Sequence, residues 1–353
     1  MPNEPTQTFA PGMPVEVGKI DRELKKLWEV SEDAMTRASL INLAVYSEAP
    51  GSLSENTQLI SRITQRHACR AIVIGANPST PEARVEAWIS AHCHVSGAGS
   101  KQICSEQLSF RLDGSSTNFL PSIVFSHLDS DLPFYLWWQS EFHDPMDPQL
   151  WAWVDRLIYD SQSWKGFDSQ MHSIETAQAE AKQRIVLCDL NWTRLVHIRL
   201  ALAQFFDHPA AQHYFNEIDR VQIDFRLGFK STAVLLAGWL AAQLKWRLEK
   251  TTKDHALRFV DPSNRSITFE LREKPGEPIG RIAVQSGKVE FSVSHPSGSD
   301  LLEVFQEKGG AKGPCQLIPA GSNDPVDLMS EELRRGGPHR VYRRAVECVR
   351  DLL

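Results

Sequence analysis

Residues 132–164 read LPFYLWWQSEFHDPMDPQLWAWVDRLIYDSQSW and contain Trp137, Trp138, Trp151, Trp153 and Trp164, half of the ten tryptophans of the chain. Phe134 to Trp138 is a short apolar run of strand type, opened by Pro133, which a strand tolerates at its first position. Asp144-Pro145 and Asp147-Pro148 punctuate a turn, and Asp147 is placed to cap a helix whose first residue is Pro148. That short helix runs through Leu150, Trp151 and Val154. Leu157-Ile158-Tyr159 then resumes a strand that ends on Asp160-Ser161. Strand, short helix and strand with this much aromatic area to bury form the middle of a core.

Working outward, 353 residues are long for one domain, and two are expected. An apolar fraction of 42% with 23% charged residues is ordinary for a soluble globular protein. The longest dense apolar run, Ala233 to Leu244, is too short for a bilayer, and MPNEPTQTFAPGMP at the start has neither the basic nor the apolar region of a signal peptide. A cytoplasmic protein without membrane contact is expected. A net charge of −6 argues against a nucleic-acid partner. The six cysteines, at 69, 93, 104, 188, 315 and 348, form no CxxC pattern, so they read as structural thiols rather than zinc ligands or a disulfide framework.

The fold class expected is α/β (α+β), in two domains that are each a mixed sheet with flanking helices. Residues 1–15, rich in proline, read as a disordered lead-in. The first domain, 16–175, opens on a helix with Ile20, Leu24, Leu27 and Trp28 at helical spacing. Buried strands at Leu40 to Tyr46 and Arg70 to Ile74 flank a helix around Glu55 to Arg66, as in a parallel crossover. Two alternating strands, Val85 to Val95 and Cys104 to Leu112, are joined by a turn at Gly97-Ala-Gly99-Ser-Lys. The second domain, 176–353, follows a polar helix at Phe167 to Arg184. Asp189 caps a helix expected through Phe206, and strand Val221 to Phe225 leads by Gly228-Phe-Lys-Ser-Thr into the most apolar helix, Ala233 to Trp246. From Leu257 the period becomes two, which predicts an antiparallel meander, and a last helix carries Tyr342, Val346 and Val349 towards its apolar face.

His92 and His94 share one face of a strand, as HxH metal sites begin, but no third ligand stands at a telling spacing, so no metal is expected. Gly228 to Thr232 has the strand-turn-helix layout of a phosphate loop without its motif. Lys230, Ser231 and Thr232 at a helix start could hold an anion, and ordinary capping explains them equally well. No GxSxG, HExxH or GxGxxG stands in context, and no nucleophile is partnered with a base. No catalytic residue and no cofactor is therefore assigned.

Five blocks occur in order: Cys69-Arg-Ala-Ile-Val-Ile74, Asp131-Leu-Pro-Phe-Tyr-Leu-Trp-Trp138, Asp155-Arg-Leu-Ile-Tyr-Asp-Ser161, Asp189-Leu-Asn-Trp-Thr-Arg-Leu195 with Ala203-Gln-Phe-Phe-Asp207, and Leu236-Ala-Gly-Trp-Leu-Ala241. Together they resemble the OpcA family, the glucose-6-phosphate dehydrogenase assembly proteins. The resemblance implies a non-catalytic partner and allosteric activator of glucose-6-phosphate dehydrogenase in the oxidative pentose phosphate pathway. Thioredoxin-linked redox control is associated with cyanobacterial members; here only Cys315 and Cys348 lie towards the end of the chain.

Interfaces favour aromatic and arginine anchors, and a joint between two domains offers a cleft. The partner-binding candidates are Asp155, Arg156, Asp160 and Ser161 after the Trp-rich segment, and Trp192, Arg194 and Arg199 on the next helix. Their charged members lie off the apolar stripes that packing requires, which favours recognition, with an inter-domain salt bridge as the alternative. The other functional class left open is a sugar-phosphate-binding enzyme or sensor using the helix start at Gly228 to Thr232.

Overall fold

The structure, a computed structural model, describes residues 11–29, 35–95, 102–143, 146–182, 184–207, 209–251 and 256–353. The chain divides into two compact units. One comprises residues 1–159, 170–188 and 325–337, and the other 160–169, 189–324 and 338–353. Residues 1–10 of the expected lead-in, and residues 97–101 of the expected turn, lie outside the described residues.

The first unit begins with β1 (Met13–Val15), α1 (Ile20–Glu29) and β2 (Met35–Arg37). There follow β3 (Asn42–Ser47), α2 (Ser52–Thr64), β4 (Arg70–Asn77), β5 (Arg84–Val95) and β6 (Gln102–Asp113). The Trp-rich segment supplies β7 (Phe134–Trp138), α4 (Pro148–Trp151) and β8 (Arg156–Tyr159), after α3 (Leu120–Ser126). Then come α5 (Phe167–Ala181) and β9 (Val186–Asp189). The sheet order is β1-β5-β6-β4-β3-β7-β8-β9, with β2 added on β6. From β6 to β8 the strands run parallel, while β5 turns back antiparallel on β6. Parallel strands are covered on both faces, so they read as unbroken apolar runs: Leu43-Ala-Val45 and Ala71-Ile-Val-Ile74 are fully buried. Asp147 accepts the N–H of Gln149 at 2.8 Å, as its capping position predicts, and Trp151 at the end of α4 is fully buried.

The β5–β6 register corrects the reading of the cysteines. Cys93 and Cys104 are eleven positions apart, yet the antiparallel pairing sets them opposite each other and they form a disulfide. Cys69, Cys188, Cys315 and Cys348 are in no disulfide.

The second unit holds α6 (Leu190–Thr193), α7 (Val196–Gln204), β10 (Ile218–Phe225) and α8 (Lys230–Leu244). The single helix expected after Asp189 is thus two. The N–H of Leu195 turns back to the carbonyl of Trp192, a tight i−3 bond that breaks the α-helical ladder. Next come β11 (Arg247–Thr251), β12 (Ala256–Val260), β13 (Ser266–Glu273), β14 (Ile279–Ser286) and β15 (Val289–Ser294). Strands β16 (Leu301–Lys308), β17 (Ala311–Lys312) and β18 (Gln316–Pro319) follow. The chain visits the first unit for α9 (Pro325–Arg334) and closes with α10 (Arg340–Val349).

The order of this sheet is β11-β12-β13-β10-β14-β15-β16-β17, with β18 also on β16. The expected meander is therefore interrupted. β10 inserts between β13 and β14, parallel to the first and antiparallel to the second, so the hairpin partners on either side of it are split. The closing helix was expected on the apolar face of the sheet; instead α10 packs principally along α8. A Cβ on Gly238 would lie 2.5 Å from the carbonyl oxygen of Ala345, so only glycine permits this approach.

Candidate functional site

In a doubly wound sheet ligands collect at the strand ends where the winding reverses, here beside β3 and β7. A pyrophosphate there needs a glycine-rich turn with free N–H groups. The turn after β3 reads Ser47-Glu48-Ala49-Pro50-Gly51-Ser52 and presents a carboxylate instead. Tyr46 stacks on Trp138 with ring centroids 4.0 Å apart, and Phe142 stacks on the same indole at 5.5 Å. The Tyr46 phenol donates to Glu48 Oε1 at 2.7 Å, and burial followed by this bond raises its pKa. The N–H of Glu48 is held by Ser140 Oγ at 2.8 Å, and the amides of Asn56 and Gln139 bond each other at 2.8 and 2.9 Å. This end of the sheet is occupied by its own side chains.

A polar cluster in the second unit is built around Asp189. Its carboxylate caps α6 through the N–H of Asn191 at 2.9 Å. It also accepts the N–H and hydroxyl of Ser161 at 3.0 and 2.6 Å, and the phenol of Tyr342 at 3.0 Å. Burial, and then the charge of Asp160, push its carboxyl up to about 6, against the opposing hydrogen bonds. Asn191 continues the network: its amide donates to Ser161 Oγ at 3.2 Å and Ser231 Oγ at 3.3 Å and accepts from Thr232 Oγ1 at 2.5 Å. The side chains of Ser231 and Thr232 are therefore tied inward to Asn191, whereas Lys230 is exposed.

At the rim of this cluster Arg194 binds Asp160 through both terminal nitrogens, at 2.8 and 3.3 Å, and its Nε donates to Asn323. The guanidinium of Arg199 lies 3.6 Å from the ring centroid of buried Trp192 and donates to the carbonyls of Trp192 and Leu195. Two sets of residues read separately in the sequence, Asp160, Ser161 and Arg194 on one side and Ser231 and Thr232 on the other, are thus joined through Asn191, while Lys230 stays outside the network. Asp155 and Arg156 belong to the other unit. Asp155 there accepts the N–H of Phe134 at 2.8 Å, and buried Arg156 donates to Cys188 Sγ at 3.6 Å and the Gly337 carbonyl at 3.4 Å. His92, from the HxH pair, is hydrogen-bonded to Gln107 at 2.8 Å.

The residues that sequence reasoning missed lie in the turn between β10 and α8. Leu227 is 74% exposed beside exposed Gly228, whose φ is +86°. Gln162 fixes this turn by donating to the Gly228 carbonyl at 2.7 Å. The ring of half-buried Phe229 lies 4.6 Å from the guanidinium of Arg226 and 5.6 Å from that of Arg194. Arginine and aromatic side chains are enriched at protein interfaces, and Leu227 adds exposed apolar area beside them. The available signal was an apolar pair, Leu227 and Phe229, in a turn whose neighbours are polar.

Two family models match the chain in succession. One describes the N-terminal domain of the glucose-6-phosphate dehydrogenase subunit and matches residues 60–178; the other describes its C-terminal domain and matches residues 185–346. Among curated sequences, the "Putative OxPP cycle protein OpcA" of Nostoc punctiforme is 25% identical over 318 residues, which covers 84% of this chain and 67% of that protein. The protein of the same name in Synechocystis is 25% identical over 343 residues, 91% of this chain and 71% of that one. Among solved structures, aldose-aldose oxidoreductase from Caulobacter crescentus is similar with a TM-score of 0.49 at 8% identity, over 88% of this chain and 95% of that one. The blocks quoted from the sequence and the two consecutive matches agree: the chain belongs to the OpcA family.

Proposed function

We propose that the protein is a non-catalytic partner of glucose-6-phosphate dehydrogenase that binds the enzyme and activates it allosterically. Membership of the OpcA family supports the identity of the partner. The observation that carries the non-catalytic reading is the state of the β3–β7 strand ends, where Tyr46, Trp138 and Phe142 stack on one another and Glu48 stands in the turn that would otherwise cradle a phosphate. The docking surface in this reading is the Arg226 to Lys230 turn with the Asp160–Arg194 pair beside it. Leu227 supplies exposed apolar area, Phe229 a ring braced by two guanidiniums, and Lys230 an exposed charge.

The test is a titration of purified dehydrogenase with this protein, following both complex formation and the rate of NADP reduction. The reading expects a complex and a raised rate, and expects the protein alone to reduce no NADP. Turnover by the protein free of dehydrogenase would overturn it.

A further inference from the structure

In the second unit, β16 has an interrupted outer edge. It pairs with β18 over Leu301 to Val304 and with β17 over Glu307 and Lys308, so Phe305 and Gln306 have no strand beside them on that side. The chain between β17 and β18 passes this gap as a loop. Its Gly313 N–H donates to the Gln306 carbonyl at 2.8 Å, and a Cβ on Gly313 would lie 3.0 Å from the same oxygen. The end of α7 forms the other wall, where Phe205 is fixed by its ring contact with Phe291 at 5.2 Å. Between these walls lies a cavity of about 540 Å³. Small-molecule sites run from about 300 to 1,000 Å³.

The charge of the lining has one sign. Lys308 and Lys312 stand in it with Gln204, Gln306 and Gln316, and among the described residues no carboxylate does. That is a local excess of two positive charges in a chain whose net charge is −6. Neither lysine is in an ion pair among the described residues. Glu307 is opposite Lys312 in the register, yet the Lys312 ammonium lies over the Phe305 ring, 5.0 Å from its centroid. The side chains of Lys308 and the three glutamines have no hydrogen-bond partner among the described residues. The carbonyls that end α7, which would repel an anion, are taken up by the N–H groups of Phe205, Phe206 and Asp207.

These groups select a ligand by its chemistry. Two ammonium groups suit a phosphate, which lysine binds as a point charge. A primary amide both donates and accepts, as a hydroxyl does, so the three glutamines suit a body with several hydroxyls. Buried Val304 and half-buried Phe205 offer carbon surface to its skeleton. Inorganic phosphate would leave the amides idle, and a neutral sugar would leave both lysines idle. We propose that this cavity binds a phosphorylated sugar, with Lys308 and Lys312 on the phosphate and Gln204, Gln306 and Gln316 on the hydroxyls. The site shares no residue with the Arg226 to Lys230 turn and does not depend on the docking of the dehydrogenase there.

The experiment is calorimetric titration of the full chain, free of dehydrogenase, so its failure is separate from any failure to bind that enzyme. The probes are glucose 6-phosphate, fructose 6-phosphate and ribose 5-phosphate, beside glucose and inorganic phosphate. At least one sugar phosphate should bind saturably with a dissociation constant below about 1 mM, and about tenfold or more tighter than glucose or inorganic phosphate. Lys308→Met with Lys312→Met should weaken that binding about tenfold or more, and Lys308→Arg with Lys312→Arg should keep it. Gln306→Leu should weaken the sugar phosphate and leave inorganic phosphate unchanged. Both lysines are exposed, and unchanged circular dichroism and melting temperature establish that each variant is folded. No saturable binding of any of the sugar phosphates, equal affinity for inorganic phosphate, which marks an adventitious ion only, or binding indifferent to the lysines would each overturn the proposal.

Discussion

The phenol of Tyr342 donates to the Oδ2 of Asp189 at 3.0 Å across 153 positions of sequence, and the same oxygen takes the Ser161 hydroxyl at 2.6 Å. One buried carboxylate thus ties the closing helix α10 to the start of α6 and to the segment after the Trp-rich core.

That carboxylate should make stability depend on pH. Its folded pKa, about 6, lies above the value near 3.9 of an unfolded aspartate. The folded state therefore binds the proton more tightly. The stabilising contribution is full below about pH 4 and is lost as pH rises through about 6. A gap of about two units is worth about 2–3 kcal/mol. Asp189→Asn removes the titration, so its stability penalty should be smaller at pH 7.5 than at pH 4.5 by about that amount. Urea unfolding at the two pH values measures it, and a penalty independent of pH contradicts the assignment.

Gly238 is the second site where one atom decides the packing. Alanine is the better helix former by about 1 kcal/mol, so Gly238→Ala would stabilise a free helix. Here the new Cβ meets the Ala345 carbonyl at 2.5 Å and Val349 Cγ2 at 2.6 Å, and backbone cannot swing aside as a flexible side chain can. Overpacking of this kind costs about 1–3 kcal/mol. We expect a net loss in chemical denaturation; a gain would mean that α10 does not sit on α8.

The Cys93–Cys104 disulfide closes a short loop between two strands already paired. Loop closure of this length contributes about 2–3 kcal/mol through the unfolded chain. Dithiothreitol should lower the melting temperature of the wild type and leave Cys93→Ser unchanged. Equal responses would show that the bond is not formed in solution.

How legible the fold was depended on how local each signal is. Asp147-Pro148 fixed the start of α4 by a contact two residues away, and Phe134 to Trp138 declared a strand by its own apolar density. The insertion of β10 between β13 and β14 was not legible, because the alternation of Val221, Ile223 and Phe225 is the same whichever neighbour pairs with it. Nor was the joining of Asp160 and Arg194 to the start of α8, which runs through Asn191, a residue whose amide gave no periodic or motif signal. The cysteine pair could have been found: continuing the alternation of β5 and β6 through a hairpin brings residues 93 and 104 opposite each other. Leu227 stood out only once its exposure was known, and half-buried Phe229 only once the flanking guanidiniums were.

The most direct test of the proposed function is calorimetric titration of this protein into glucose-6-phosphate dehydrogenase, with the wild type beside Leu227→Asp and Lys230→Glu. Both substituted side chains are exposed, so the variants should melt as the wild type does. The account predicts saturable binding of the wild type with a rise in dehydrogenase rate, and binding weakened by about 1–2 kcal/mol, roughly tenfold or more, in Leu227→Asp. A smaller loss is predicted for Lys230→Glu. No heat of binding and no change in rate with the wild type at saturating concentration would contradict it.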